Sequence, residues 1–317
     1  MINITSGLPP SVVGTSVTVG TFDGVHRGHL DVISRLVSRA RDKGLSSVAV
    51  TFDPHPLAVV NPAAAPPLLT VGSEKLELLA ETGLDYLAVL DFTPELAALG
   101  AQQFVDDVLL SRFRMRDLLI GHDHGFGRER AGNAAVLEEL GAVRGFSVGV
   151  VEPVEGAGGR SVSSTAIRRA VAGGDLSLAA ALLGRPYAIG GSVIPGAQRG
   201  RTLGFPTINL SMPPASKLLP PDGVYAVRVQ TPTGSYGGMM NLGPRPTFED
   251  SERGIEVYLF DAAGDFYNQD VRIDVIKRLR DVRAFLSPHE LVAQIRRDDA
   301  EARSALTVAA AHGNLKG

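Results

Sequence analysis

No cysteine occurs among the 317 residues. That excludes disulfides, thiolate catalysis and every zinc site built on sulfur ligands, and it points to a reducing compartment. Strong charge of either sign is missing too: the formal net charge is −3 and the pI is near 6.2. Without a global basic field, neither nucleic acid nor anionic lipid is expected as a partner. The opening segment lacks a basic start followed by a long apolar stretch, and no later segment reaches the length of a membrane span, so the expected location is the cytoplasm. Fixed-period repeats are absent, as are a dinucleotide fingerprint and a P-loop lysine motif.

What is present has the balance of a globular protein, 44% hydrophobic and 21% charged, at the length of about two domains. In the first half, short β-rich runs alternate with helical patterns, which predicts βαβ units and an open, doubly wound parallel sheet. Five strands are expected, at 16–20, 46–52, 86–91, 117–121 and 146–151. A helix over 30–43 places Leu30, Ile33, Leu36, Val37 and Ala40 on one face and ends before Gly44, a left-handed C-cap; another over 73–81 ends at Gly83. Ligands in such sheets bind beyond the carboxyl ends of the strands, which directs attention to 26–29, 53–56 and 122–130. The NPAAAPP stretch at 61–67 reads as a flexible loop on that side, a candidate lid.

Around Leu183-Gly184-Arg185-Pro186 the character changes to Gly- and Pro-rich sequence with short strands at 189–194, 224–230, 236–241, 255–260 and 271–275. Close spacing of short strands predicts a small antiparallel β-barrel. A helix over 288–306, opened by Ser287-Pro288-His289-Glu290 as a capping box with proline at the first helical position, is expected to pack on it. The domains expected are therefore 1–184 and 185–317.

Chemistry concentrates at a few places. His26 and His29 lie between a strand and a helix, with Gly24 and Gly28 allowing close backbone approach. A helix N-terminus already favours phosphate, and two imidazoles three residues apart add donors to the same anion. This suits nucleotidyl transfer, where charge builds on α-phosphate oxygens and the leaving pyrophosphate; the histidines would act as electrostatic clamps and not as nucleophiles. The bland alternative is a pair of solvated turn histidines. Ser163-Ser164-Thr165 followed by Arg168 offers hydroxyls, backbone N–H groups and a guanidinium to phosphates, or simply a helix cap with a surface arginine. In GRTLGFPTINL, Thr207 and Asn209 alternate with apolar neighbours and point to one side, where a hydroxyl and an amide oxygen can ligate a hard cation; the alternative is a loop turning into an edge strand. Ile255, Val257 and Leu259 face one way and Glu256, Tyr258 and Phe260 the other, which singles out one carboxylate. The basic run Lys277, Arg278, Arg280 and Arg283 reads as a solvated face, not as a polyanion site.

Taken together, TFDGVHRGHL, TFDPHP, GHDHGFGRERAG and VSSTAIRRAVAGGDL, followed by PTIN, PDGVYAV, NLGPRPTF and RLRDVRAF, resemble the bacterial FAD synthetases, the bifunctional riboflavin kinase/FMN adenylyltransferase family, in order across the whole chain. The resemblance implies a C-terminal domain that phosphorylates riboflavin with Mg-ATP and an N-terminal domain that transfers AMP from ATP to FMN, giving FAD and pyrophosphate. By it, His26 and His29 contact ATP phosphates, and Gly20, Phe22, Asp23, Gly28, Asp123 and Phe126 belong to the same site. Ser164, Thr165 and Arg168 close on the triphosphate, while Asp53, Pro54 and Pro56 border the flavin. In the kinase, Gly200, Gly204 and Pro206 lie in the ATP-binding segment, Thr207 and Asn209 hold Mg²⁺, and Glu256 takes the proton from the riboflavin 5′-hydroxyl, a role worth ~10²- to 10⁴-fold in rate.

One departure from the family pattern is His124, where an aromatic residue usually follows the position of Asp123; it bears on packing or affinity. Two rival readings remain: a flavin-binding or regulatory protein that kept the shape, and nucleotidyl transfer to another phosphorylated acceptor. Retention of His26, His29, Thr207, Asn209 and Glu256 argues against the first, and the attached kinase pattern against the second. The expected partners are the small molecules ATP, riboflavin and FMN; the sequence leaves homo-oligomerisation open.

Overall fold

The computed structural model describes residues 1–4, 7–122, 132–154, 161–196, 200, 204–245 and 250–313. Internal contacts divide the chain between Ser164 and Thr165 into two units.

The first unit holds β1 (Ile2–Asn3), β2 (Thr15–Val19), β3 (Ser46–Asp53), β4 (Tyr86–Asp91), β5 (Met115–Gly121) and β6 (Ser147–Val151). They form one parallel sheet in the order β1-β4-β3-β2-β5-β6. The sheet thus has six strands where five were expected. The extra strand, β1, is two residues long, too short to show any periodicity, and exists through its pairing with Tyr86 and Leu87 of β4. Apolar residues cover both faces: Val48 and Val50 join Phe104, Leu109 and Leu137 on one, while Ala49 joins Ile33, Leu36 and Leu79 on the other. Burial on two sides explains why these strands read as near-continuous apolar runs.

The helices are α1 (Arg27–Asp42), α2 (Pro56–Val60), α3 (Ser73–Ala80), α4 (Pro94–Ala98), α5 (Ala101–Gln103), which runs on into a π-helical stretch Phe104–Leu110, and α6 (Ala134–Arg144). α1 buries Ile33, Leu36 and Ala40, leaves Leu30 exposed, and is followed by Gly44 at φ +64°. It starts earlier than the apolar spacing suggests because His26 caps it. Within 61–67 lies one 3₁₀ turn, Pro62–Ala64, whose residues are exposed. From β2 the chain steps outward to β3 and β4, then crosses back to β5 and β6 on the other side. The carboxyl ends of β2 and β5 therefore flank the topological switch point, the place where sheets of this kind bind ligands.

The second unit contains most of α7 (Ser164–Ala172), then α8 (Leu176–Leu183) and a closed antiparallel barrel. Its strands are β7 (Tyr187–Ile194), β8 (Thr207–Leu210), β9 (Gly223–Thr231), β10 (Gly234–Arg245), β11 (Asp250–Leu259) and β12 (Asp270–Arg280), in the order β10-β11-β8-β7-β12-β9, with β9 pairing back to β10. Ile255, Val257 and Leu259 are buried, as are Val227, Val229 and Ile273, so the alternation predicted for this segment is the one that fills the barrel. The closing helix, α9 (Pro288–Gly313), extends past 306 because Ala-rich sequence sustains it, and it packs Ala302 against Ala226, Met239 and Phe260. The Glu290 N–H donates to Ser287 Oγ at 3.2 Å, as the capping pattern predicts.

In the basic run, read as a solvated face, Lys277 and Arg283 are exposed and Arg278 and Arg280 half-buried, and each has a polar partner. Arg280 forks onto the buried Asp298 at 2.9 and 2.8 Å, Lys277 pairs with Glu301 at 2.9 Å, Arg278 with Asp281 at 2.6 Å, and Arg283 donates to Gln294. Three of those partners lie on α9, so Lys277 and Arg280 anchor that helix to β12 and Arg283 ties it to the segment that follows the strand.

Candidate active sites

Beyond Val19 the chain turns sharply. Phe22, Gly24 and Val25 all have positive φ, at 46°, 82° and 38°, and Phe22 to His26 are buried. The strain is held by hydrogen bonds: the Asp23 carboxylate accepts from the N–H groups of Leu69 and Thr70 at 2.9 and 3.0 Å, and the Gly24 N–H donates to Thr70 Oγ1 at 3.0 Å. In the structure, then, Asp23 ties the turn to the segment preceding α3. The turn delivers His26 to the N-cap of α1, where its Nδ1 accepts from the His29 N–H at 3.3 Å. The rings of His26 and His29 stack with centroids 3.6 Å apart, and Phe22 meets His29 edge-on at 5.2 Å. Gly28 lies close beside them: a Cβ there would be 3.2 Å from the His26 ring, tight enough that the ring would have to shift. Likewise a Cβ on Gly20 would come within 3.2 Å of the Phe22 ring.

Ser164 joins this group, its hydroxyl donating to the Asp23 carbonyl at 3.0 Å. Thr165 and Arg168 fall in the second unit, exposed and half-buried respectively. Asp53 and Pro54 are exposed at the end of β3, joined by a cis peptide, and Pro56 begins α2 with His55 as its cap. Asp123 and Phe126, with His124, lie outside the described residues.

One residue of the first unit escaped the sequence reading. Lys75, on α3, donates from Nζ to Phe52 O at 3.1 Å, Thr51 Oγ1 at 3.3 Å and Thr21 O at 3.4 Å. Burial pulls its pKa below the ordinary lysine value, opposed by the charges of Asp53 and then Asp23. Its only sequence signal is position: it precedes the buried Leu79 by four residues and so shares the inward face of the helix.

In the barrel, β8 and β11 pair antiparallel with Asn209 opposite Glu256 and Thr207 opposite Tyr258. Thr207, Asn209 and Glu256 therefore share the outer face, and Thr207 Oγ1 donates to Glu256 Oε1 at 2.5 Å. Two glycines come close to them. A Cβ on Gly196 would lie 2.0 Å from Asn209 Nδ2, and one on Gly200 would lie 2.3 Å from Phe205 O and 3.2 Å from Thr207 Oγ1. Gly204 has φ +85° and leads through Phe205 and Pro206 into β8. A cavity of about 580 Å³ opens beside this face, lined by Pro206, Thr207, Ile208, Val193, Phe266 and Tyr267 among others, a size suited to a small molecule. The donor set of hydroxyl, amide and carboxylate oxygens fits a hard cation such as Mg²⁺, which takes few protein ligands and completes its shell with water and phosphate. No cluster of three His, Asp or Glu side chains suited to a metal occurs among the described residues.

A turn that caps a helix, where anions are favoured, and an oxygen-bearing face, where a hard cation would fit, lie one in each unit, an arrangement compatible with an enzyme that uses nucleoside triphosphates. Comparison with known proteins makes that specific. The FAD synthetase family matches residues 9–166 and the riboflavin kinase family residues 183–306. The bifunctional riboflavin kinase/FMN adenylyltransferase of Escherichia coli (strain K12) is 40% identical over 294 residues, 92% of this chain and 92% of its own. That of Bacillus subtilis (strain 168) is 36% identical over 291 residues, covering 90% of each. A crystal structure described as a macrolide-efflux protein from Streptococcus pneumoniae matches with a TM-score of 0.84 at 32% identity, over 95% of this chain and 98% of that one. Among the described residues, no helix is long and apolar enough to cross a membrane. The chain belongs to the bifunctional riboflavin kinase/FMN adenylyltransferase family.

Proposed function

We propose that the family's two reactions run at the two places described, with adenylyl transfer assigned to residues 1–184 and phosphorylation to 185–317. The protein makes FMN from riboflavin and FAD from FMN. In the first reaction the Glu256 carboxylate takes the proton from the riboflavin 5′-hydroxyl as that oxygen attacks the γ-phosphorus of ATP and ADP leaves. Thr207 and Asn209 would hold Mg²⁺, which when bound neutralises charge on the triphosphate. With its hydroxyl donated to Glu256, Thr207 keeps oxygen lone pairs for the cation and orients the base.

In the second reaction a phosphate oxygen of FMN attacks the α-phosphorus of ATP and the bond to pyrophosphate breaks. Because Nδ1 of His26 accepts from the His29 N–H, the neutral ring carries its proton on Nε2, the donor that would meet a phosphate oxygen. The N-terminus of α1 and His29 add to the same field, and Ser164 fixes the turn beneath them. Gly20 and Phe22 shape the turn, Asp53, Pro54 and Pro56 border the flavin, and Thr165 and Arg168 serve this step on the strength of the family resemblance. The setting is cytoplasmic, consistent with a chain that has no cysteine to oxidise.

The observation that carries the kinase assignment is the convergence of Thr207, Asn209 and Glu256 on one barrel face, across 49 residues of sequence between Thr207 and Glu256. Its test is Glu256→Gln: riboflavin should no longer be converted, while supplied FMN should still yield FAD at the parent rate. Continued FMN formation would assign the base elsewhere.

A further inference from the structure

We propose that Lys75 is a positioning residue for adenylyl transfer: its ammonium, seated on the Thr21 and Phe52 carbonyls and the Thr51 hydroxyl, holds the phosphate-side turn at a fixed distance from the flavin-side segment. This rests on the assignment of that reaction to the carboxyl ends of β2 and β3.

The β2–β3 ladder pairs residues up to Val19 and Val50, and the Gly20 N–H still donates to Val50 O at 2.9 Å. Past that point the two strands part. Thr21 enters the turn that ends at His26, whereas Phe52 runs on into Asp53 and Pro54. Across this parting, the direct link between the strands is the Thr51 hydroxyl on Thr21 O at 3.1 Å, and Lys75 Nζ contacts both of those groups together with Phe52 O. Three ammonium donors thus meet three acceptors, one on the turn and two on β3. Lys75 is itself held in place, because the segment leading into α3 is bound through Leu69 and Thr70 to the Asp23 carboxylate. One crosslink therefore joins the turn to the segment before α3 and the other joins it to α3 itself, and of the two it is Lys75 that also reaches β3. An apolar side chain would fill the space but leave the Phe52 carbonyl without this partner and Thr21 O held by the Thr51 hydroxyl alone, and it would set no distance between them. In-line attack depends on the separation of the FMN phosphate from the α-phosphorus, so loosening this spacing should slow turnover more than it weakens binding.

The test is steady-state FAD formation from FMN and Mg-ATP by the full chain carrying Lys75→Met, Lys75→Gln or Lys75→Arg, with His26→Ala as a control on the site itself. The neutral variants should lose ~10- to 100-fold in kcat with KM for ATP and FMN little changed, and Lys75→Arg, which keeps donors and charge, should recover most of it. Unchanged kcat in Lys75→Met, equal loss in Lys75→Arg, or losses that track unfolding of both neutral variants in thermal melts would each overturn the proposal. If His26→Ala itself retains FAD formation, the site assignment fails first, and the outcome is distinct from failure of the Lys75 role.

Discussion

Gly28→Ala separates stability from catalysis in a way that depends on a single contact. The new methyl would sit 3.2 Å from Cε1 and 3.3 Å from Nδ1 of His26, with the Val162 carbonyl at an ordinary 3.8 Å. His26 has little room to retreat, because it is buried and its ring is stacked at 3.6 Å on His29. Crowding of this kind costs about 1–3 kcal/mol. Against it, alanine in place of glycine in a helix gains up to about 1 kcal/mol, and Gly28 lies in the first turn of α1. The net effect on folding is then a loss of about 0–2 kcal/mol, small beside the stability of a domain. Catalysis has no such offset. In the proposed mechanism, shifting the His26 ring by a few tenths of an ångström would move its Nε2 proton away from its phosphate oxygen, and a loss of about 1.4 kcal/mol there is a tenfold fall in rate. FAD formation from FMN and Mg-ATP, followed by separating the flavins, should drop about tenfold or more while the melting temperature changes little and FMN formation from riboflavin holds. Parent-like FAD formation in a folded Gly28→Ala protein would refute the link between ring position and turnover.

The same logic applies in the barrel: Gly196→Ala places a methyl 2.0 Å from Asn209 Nδ2, the far end of a side chain that can swing away, so folding should survive while FMN formation falls and FAD formation from supplied FMN does not. Parallel loss of both activities would contradict it. Asp117 predicts an acid limb. Its side chain is fully buried and accepts from Arg39 at 2.7 and 2.8 Å, Lys43 at 2.5 Å, Ser16 at 2.6 Å and Ser147 at 2.5 Å. Burial alone would raise its pKa, but the hydrogen bonds from Arg39, Lys43, Ser147 and Ser16 together hold it well below the usual carboxylate range. A depressed folded pKa means that the stabilisation is complete above the unfolded value of about 3.9 and is lost as pH falls below it. Asp117→Asn should cost about 3 kcal/mol at neutral pH and flatten the acid limb in urea melts; a curve parallel to that of the parent protein would remove Asp117 as its source.

Much of this architecture was legible locally. Two-sided burial of the parallel strands, the Ile33-Leu36-Ala40 stripe of α1 and the Ile255-Val257-Leu259 alternation of β11 all follow from period and residue type. The turn through Phe22 and Val25 was legible only as a motif, since positive φ at a buried aromatic and a β-branched residue runs against local preference and is sustained by Asp23 and Thr70. What stayed hidden depends on pairing between distant segments. β1 exists because Tyr86 and Leu87 are there to receive it, and the Thr207–Glu256 contact depends on the register of β8 against β11. Asp117 and Lys75 carry no motif: each is a charge on an inward face whose partners come from other elements, and Asp117 gathers them from β2, α1 and β6.

In the proposed scheme His26 serves one of two separable reactions. The measurement that meets it most directly is the time course of FMN and FAD when His26→Ala protein is given riboflavin and Mg-ATP. FMN should accumulate at the parent rate with no FAD following it. Continued FAD formation, or loss of FMN in step with FAD, would contradict the account.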